Sequence, residues 1–313
     1  MVSGRVAVIG AGSIGRRHAD NLRVLGVEVD HIPWREFSAQ TFAQRRDLSA
    51  VVIATATQIR LELIEICAQM DLPFYVEKPL AWSVEQVEAI YAAAAPVAAR
   101  SMIGFMMRYH PALRALAAED LSDIYSFSME IGHDVRQWRA NWRFGDSYAA
   151  RPEGGGVLLD LSHEVDMARA LFPQLALRSA QSLGHADFPG VDFATSLHLA
   201  APGGPVGCVS MDYLSPVFIR SARLRGLNRL WEIDFLKPEL VQITPEGRQV
   251  TPYVFERNDM FLAAMADFLA LAAGGVAENP LAPRFDAMRG TNALVAEAWA
   301  GRQFSGTVAV DMG

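Results

Sequence analysis

Lysine is almost missing from this chain: of 28 lysines and arginines, only Lys78 and Lys237 are lysines. Arginine stays charged and planar, whereas the lysine ammonium is compact, rotatable and readily shifted by burial, so a lysine kept against this bias marks a position to inspect. Cysteine is nearly as scarce. Cys67 and Cys208 lie far apart in sequence, which excludes a disulfide framework and a cysteine-built metal site and leads to the expectation of a reducing, cytoplasmic location. Excess positive charge is absent too. A net charge of −7 and a pI near 5.5 speak against non-specific nucleic-acid binding and against an anionic membrane surface as partner. No apolar run is long enough for a membrane helix. The longest stretch without Asp, Glu, Lys or Arg, Phe193 to Met211, carries His198, Pro202, Gly203, Gly204 and Pro205 in its middle and reads as two strands joined by a turn. No secretory signal, internal repeat or low-complexity linker is read in the sequence.

What is present is enough apolar material for a large core. With 313 residues, 51% of them hydrophobic, the expectation is two domains, a dinucleotide-binding α/β domain over 1–120 and an α+β domain over 121–313. The first begins with the apolar run Val6-Ala7-Val8-Ile9, which feeds into Gly10-Ala11-Gly12-Ser13-Ile14-Gly15 and then an amphipathic segment through Leu25. Strand, glycine turn and helix come in the order of the dinucleotide fingerprint: Gly10 for the turn, Gly12 for approach of a pyrophosphate, Gly15 for close packing of helix on strand. The helix N-terminus, with Ser13 and Ile14 in its first turn, presents N–H groups to the phosphates.

The residue that reads the adenosine ribose falls about 20 residues beyond the turn, at Trp34-Arg35-Glu36. An acid there binds the ribose hydroxyls of NAD and an arginine pairs with the 2′-phosphate of NADP. Arg35 tilts the expectation toward NADP, with NAD the alternative because Glu36 is adjacent. Ala50 to Ala54 is the next strand and runs into Thr55. Leu72 to Val76 follows and ends at Glu77-Lys78-Pro79. Ligands of doubly wound sheets bind beyond the carboxyl ends of the strands, so Lys78 is a candidate to share a proton with a substrate hydroxyl; the alternative is a surface lysine paired with Glu77. A further strand, Val97 to Phe105, exits through Arg108, a candidate for a phosphate or substrate contact or for a salt bridge to an acid such as Glu77.

From Ile124 the pattern changes to alternation, with strands expected at Ile124 to Gly132, Leu177 to Gly184, Phe193 to Leu199, Val206 to Tyr213, Phe218 to Arg225, Leu230 to Phe235 and on both sides of Pro245-Glu246-Gly247. Such a sheet is mostly antiparallel and leaves one face open, which favours a homo-oligomer, dimer or tetramer, through this sheet. After the first of these strands comes a chemically dense stretch, from Trp138 through Arg139, Trp142, Arg143, Tyr148 and Arg151 to Gly154-Gly155-Gly156 and Asp160-Leu161-Ser162-His163-Glu164-Val165-Asp166. Read as one helix after the glycines, it puts Asp160 and His163 three residues apart on one face, where a carboxylate tunes a histidine for proton transfer. A structural histidine is the alternative. A metal site from His163, Glu164 and Asp166 is disfavoured because no other His or Cys ligand clusters nearby. The segments Arg257 to Ala273 and onward through Trp299 read as packing helices, and Lys237 as a turn residue.

With the Gly10 to Gly15 fingerprint, Glu77-Lys78-Pro79, Gly104 to Pro111 and Gly154 to Asp166 in this order, the chain resembles the glucose-fructose oxidoreductase, inositol dehydrogenase and MocA family over essentially its whole length. The resemblance implies a Rossmann domain followed by an open-sheet α+β domain, and an NAD(P)-dependent oxidoreductase acting on a sugar or polyol. It implies that Lys78 and His163 face one hydroxyl, with His163 taking the proton, Lys78 stabilising the developing oxyanion and Asp160 supporting them. The expected cofactor contacts are Gly10, Gly12, Ser13, Ile14, Gly15, Arg35, Thr55, Glu77, Lys78 and Arg108; the expected substrate contacts are Lys78, Arg108, Trp142, Arg143, Tyr148 and His163. Two departures stand out: Asp160 and His163 are three residues apart where the family commonly has four, and Thr55-Ala56-Thr57 replaces Thr-Pro-Asn. The Leu-Ser-His-Glu variant resembles a subgroup linked with unusual cell-surface sugars, and arginines 139, 143 and 151 suit an acidic or nucleotide-linked sugar. The competing reading is a non-catalytic regulator that binds dinucleotide and sugar, as some proteins resembling this family do.

Overall fold

The computed structural model describes residues 4–138, 143–237 and 239–312. The chain divides into two compact units, one formed by Met1–His110 with Glu256–Ala293 and the other by Pro111–Phe255 with Leu294–Gly313.

The first unit is a parallel sheet between helices. Its elements are β1 (Arg5–Ile9), α1 (Ser13–Val24), β2 (Val29–Ile32), α2 (Ala39–Phe42), β3 (Leu48–Ile53), α3 (Arg60–Gln69), β4 (Phe74–Val76), α4 (Val84–Ala94) and β5 (Met102–Ile103). Every pairing is parallel, in the order β2-β1-β3-β4-β5. The strands are apolar because both faces are covered: Val6 to Ile9, Ala50 to Ile53, Phe74 and Val76 are fully buried. The strand expected over Val97 to Phe105 shortens to β5. Ala98–Arg100 forms a 3-10 turn, and Ile103 N donates to Pro283 O at 3.1 Å, so the returning segment, rather than a longer strand, covers this edge.

The second unit carries α5 (Pro111–Ala117), β6 (Ile124–Gly132), α6 (Val157–Asp160), α7 (His163–Leu171), β7 (Ala176–His185), β8 (Phe188–Ala200), β9 (Val206–Asp212), β10 (Ile219–Gly226), β11 (Leu230–Asp234), β12 (Glu239–Thr244) and β13 (Gly247–Pro252). After α8 (Arg257–Ala272) and α9 (Arg289–Ala300) the chain adds β14 (Gln303–Val308) to this sheet. The order is β13-β12-β11-β10-β6-β9-β8-β7-β14, antiparallel except for β6 with β9 and β7 with β14. Alternation decides the faces: along β6, Phe127, Met129 and Ile131 are buried while Ser128 and Glu130 are exposed. The first-domain fold and the mostly antiparallel second sheet are those anticipated.

The division at 120/121 is not what the contacts give. The first stretch of the chain closes at His110, and Glu256–Ala293 packs with it. Helix α8 starts from a reciprocal cap in which the Glu256 backbone N–H donates to Asp259 Oδ2 at 2.8 Å. Its buried Phe268 meets Tyr75 at 5.8 Å between ring centroids, and Phe285 beyond it packs edge-on to Phe74 at 4.9 Å. The apolar face of α8 thus completes the first core.

Burial also fixes the chemistry of Cys67, on α3. Loss of solvation pushes its thiol up to about 12. Ellman's reagent at about pH 8 is therefore expected to leave Cys67 unmodified in the native protein and to count it only in denaturant; labelled Cys67 in a peptide map of the folded protein would contradict this packing.

Candidate active site

Two of the three glycines in the turn are sterically required. Gly10 has φ +116°, and a Cβ there would lie 2.3 Å from the Ala54 carbonyl oxygen. A Cβ on Gly15 would lie 1.9 Å from the Gly10 carbonyl oxygen, so α1 seats on the turn only because residue 15 has no side chain. Gly12 is different: among the described residues nothing lies within 4 Å of its Cβ position, so none of them requires a glycine there, and the space beside it is open to an approaching group. The first turn of α1 contains no acidic residue, which leaves the positive end of the helix to an anion. Ser13 is exposed and Ile14 half-buried on that turn. His31 on β2 donates from Nε2 to the Gly10 carbonyl at 3.0 Å, bracing the turn from the neighbouring strand.

Beyond β2, Trp34 stacks on Phe37 with centroids 5.3 Å apart, and the Arg35 side chain is 87% exposed, 3.9 Å from Glu36. Beyond β3, Thr55 gives its carbonyl to Arg60 Nη2 at 3.0 Å, while its own buried Oγ1 has no hydrogen-bond partner among the described residues. Beyond β4 come buried Glu77, half-buried Lys78 and the cis Lys78–Pro79 peptide. Arg108, past β5, donates to the Leu281 carbonyl at 3.2 Å. The first unit therefore gathers Gly10 to Gly15, Thr55, Glu77, Lys78 and Arg108 at the carboxyl ends of parallel strands.

In the second unit the glycine-rich entry is held by groups distant in sequence. Gly156 caps α6 with φ +93°, and a Cβ there would lie 2.0 Å from Asp192 Oδ1. Asp192 Oδ2 accepts from the Leu158 backbone N–H at 2.9 Å and from Thr195 Oγ1 at 2.9 Å. Arg302 approaches Asp192 at 3.4 Å with its guanidinium 4.0 Å from the Trp299 ring centroid, and Trp299 Nε1 donates to the Gly155 carbonyl at 3.0 Å. Burial raises the Asp192 pKa, against the lowering pull of Arg302.

The single helix expected across 157–166 is broken. Leu161 has φ −103° and ψ 29°, so α6 ends at Asp160 and α7 begins at His163 with Ser162 as its cap. Asp160 and His163 thus do not share one helical face. The Asp160 carboxylate instead accepts from the Tyr148 hydroxyl and from the Tyr213 hydroxyl, the latter at 3.1 Å. Burial, with the nearby Asp160 carboxylate adding to it, holds the Tyr213 phenol well above its ordinary range. Tyr148 is 51% exposed, so one side of the phenol faces solvent while its oxygen is tied to Asp160. Arg143 and Arg151 are exposed; Arg139 and Trp142 lie outside the described residues. Lys237 sits 70% exposed in a turn, 3.3 Å from Asp234. Among the described residues no group of three His, Cys, Asp or Glu side chains is placed to hold a metal, and no helix is long and apolar enough to cross a membrane.

Sequence reading missed His18, Asp192, Tyr213, Trp299 and Arg302. Only His18 carried a local signal. It lies three residues after Gly15, on the helix face that must pack inward.

A parallel Rossmann-type sheet with this glycine turn, joined in sequence to a large mixed sheet, defines the two-domain fold of this chain. Solved structures agree. Levoglucosan dehydrogenase in complex with NADH and levoglucosan superposes with a TM-score of 0.77 at 20% identity, covering 95% of this chain and 96% of that one. KijD10, a 3-ketoreductase from Actinomadura kijaniata in complex with NADP and TDP-benzene, gives 0.75 at 17% identity over 98% and 99%. By sequence, 174 residues are 30% identical to levoglucosan dehydrogenase of Pseudarthrobacter phenanthrenivorans, covering 52% of this chain and 41% of that protein. A stretch of 199 residues is 27% identical to scyllo-inositol 2-dehydrogenase (NAD(+)) of Bacillus subtilis, covering 53% of each. The matched part of the chain spans about two fifths to a half of the length of these curated relatives. No family model matches. The glucose-fructose oxidoreductase, inositol dehydrogenase and MocA type anticipated from the motifs is the one these matches return, by sequence over part of the chain and by fold over nearly all of it.

The glycine geometry separates two roles. Gly15→Ala is expected to cost about 3 kcal/mol or more, since backbone must move, whereas Gly12→Ala should cost less than about 1 kcal/mol. Urea denaturation of the two variants checks the order; equal losses would contradict it.

Proposed function

We propose that the protein is an NAD(P)-dependent oxidoreductase that interconverts a hydroxyl and a carbonyl on a sugar, polyol or sugar derivative. The observation that carries this is Gly12: its missing side chain makes room for no neighbour among the described residues, in a turn whose other two glycines are sterically required. Nicotinamide, when bound, supplies the hydride acceptor or donor.

The chain's own residues supply the rest. Lys78, at the end of β4, holds the reacting oxygen and stabilises the negative charge that develops on it. His163, at the first position of α7, takes the hydroxyl proton in the oxidative direction and returns it in the reverse. Asp160 orients Tyr148 through the hydrogen bond between them, and Tyr148 presents its hydroxyl to the substrate. Arg35 pairs with the 2′-phosphate of NADP, the cofactor we favour over NAD, its exposed side chain being open to that phosphate. Exposed Arg143 and Arg151 suit an acidic or nucleotide-linked sugar. Alternate exposed residues on the large sheet support assembly into a dimer or tetramer through that face, and the scarcity of cysteine supports a cytoplasmic site of action.

Nicotinamide absorbance followed against sugars, polyols, uronic acids and nucleotide sugars tests this reading. Once a substrate is found, Lys78→Ala and His163→Ala should each lower turnover by about 10²–10⁴ with dinucleotide affinity little changed. Full turnover in both variants would refute the assignment. Bound cofactor without turnover on any substrate, together with a DNA-binding partner, would favour a regulator.

A further inference from the structure

The geometry points to His18 as a positioning residue that locks the strand end bearing Lys78 to the helix bearing the glycine turn. His18 lies on α1, and its side chain is 0% exposed. Its Nε2 donates to Glu77 Oε1 at 2.7 Å, although 59 residues separate the two. The Glu77 carboxylate is held from a second side as well. A Cβ on Gly104, past β5, would fall 2.8–2.9 Å from all three carboxylate atoms, so Glu77 lies flat against the one residue type that leaves room for it. The Tyr75 ring meets His18 edge-on at 5.1 Å and Phe261 of α8 does so at 6.0 Å, which fixes the imidazole plane.

The backbone around Glu77 is equally constrained. Its N–H donates to Ile53 O at 3.0 Å, and Gly104 N–H donates to Val76 O at 2.8 Å. Lys78 follows this anchored residue directly. A buried polar pair of this kind is a poor source of stability compared with apolar packing, but it specifies one geometry, because a displaced partner leaves an unsatisfied group in the core. Helix α1 carries the dinucleotide turn at its start and His18 one and a half turns later, so its placement and that of Lys78 are set by the same hydrogen bond. The importance of that coupling for catalysis rests on the function proposed above; the coupling itself does not.

The two-lysine composition gives a direct readout. Reductive methylation with 13C-formaldehyde labels Lys78, Lys237 and the chain terminus, and exposed Lys237 is an internal control. Glutamine places its amide nitrogen where His Nε2 stands, whereas asparagine reaches only to the place of Nδ1. In His18→Gln the Lys78 resonance should keep its wild-type position. In His18→Asn it should shift while that of Lys237 does not, and NADPH affinity should fall about tenfold, the loss of one buried hydrogen bond. An unmoved Lys78 resonance in His18→Asn, or equal movement in both variants, would overturn the proposal. Should His18→Asn not fold, Glu77→Gln, which keeps the acceptor, against Glu77→Asp, which withdraws it, makes the same contrast. NADPH binding to the unsubstituted protein is read separately by fluorescence. A protein that binds no dinucleotide refutes the proposed function, and the Lys78 resonance still decides the link.

Discussion

The first unit depends on one close approach: the backbone at Gly15 stands so near the Gly10 carbonyl that no side chain fits between them. That contact sets α1 on the ends of β1 and β3. From it follow the open space beside Gly12, the brace from His31, and the depth at which His18 enters the core to meet Glu77. The end of β4, three strands after β1, is thereby tied to the turn that begins the domain. The second unit has a counterpart at Gly156, where an Asp192 oxygen occupies the space a side chain would need, and α6, with Asp160 at its end, starts from that contact.

Both units also set a glycine against a buried carboxylate. In the first, Gly104 leaves room for the Glu77 carboxylate that His18 holds. In the second, Gly156 leaves room for Asp192, which accepts from the Leu158 N–H at the start of α6. The carboxylates of Glu77 and Asp160 are buried, and each is committed to a neighbour through a hydrogen bond. This is the pattern of groups that hold others in place rather than of groups that carry a proton themselves.

Much of this was legible in the sequence. The apolar run before Gly10, the glycine spacing and the strand from Ile124 to Gly132 read correctly because each is local: burial on both faces, steric need for glycine, and a period of two. The break after Asp160 was not legible, because Leu161, Ser162 and His163 all tolerate helix and the apolar spacing runs on through them. The return of Glu256–Ala293 to the first unit was hidden for a different reason: an amphipathic helix shows that it packs, not against what. The polar strand Gln303–Val308 has no buried face to betray it. Contacts between distant positions, His18 with Glu77 and Asp192 with the start of α6, leave no spacing to read.

The claim on which the rest turns is that the glycine turn of the first unit holds a nicotinamide dinucleotide. Mass spectrometry of small molecules released when the purified protein is denatured tests it most directly. The account predicts a nicotinamide dinucleotide, NADP(H) in preference to NAD(H), released from the protein and lost from a Gly12→Val variant that remains folded. A protein that releases none, and takes up none when either dinucleotide is supplied in excess, would contradict it.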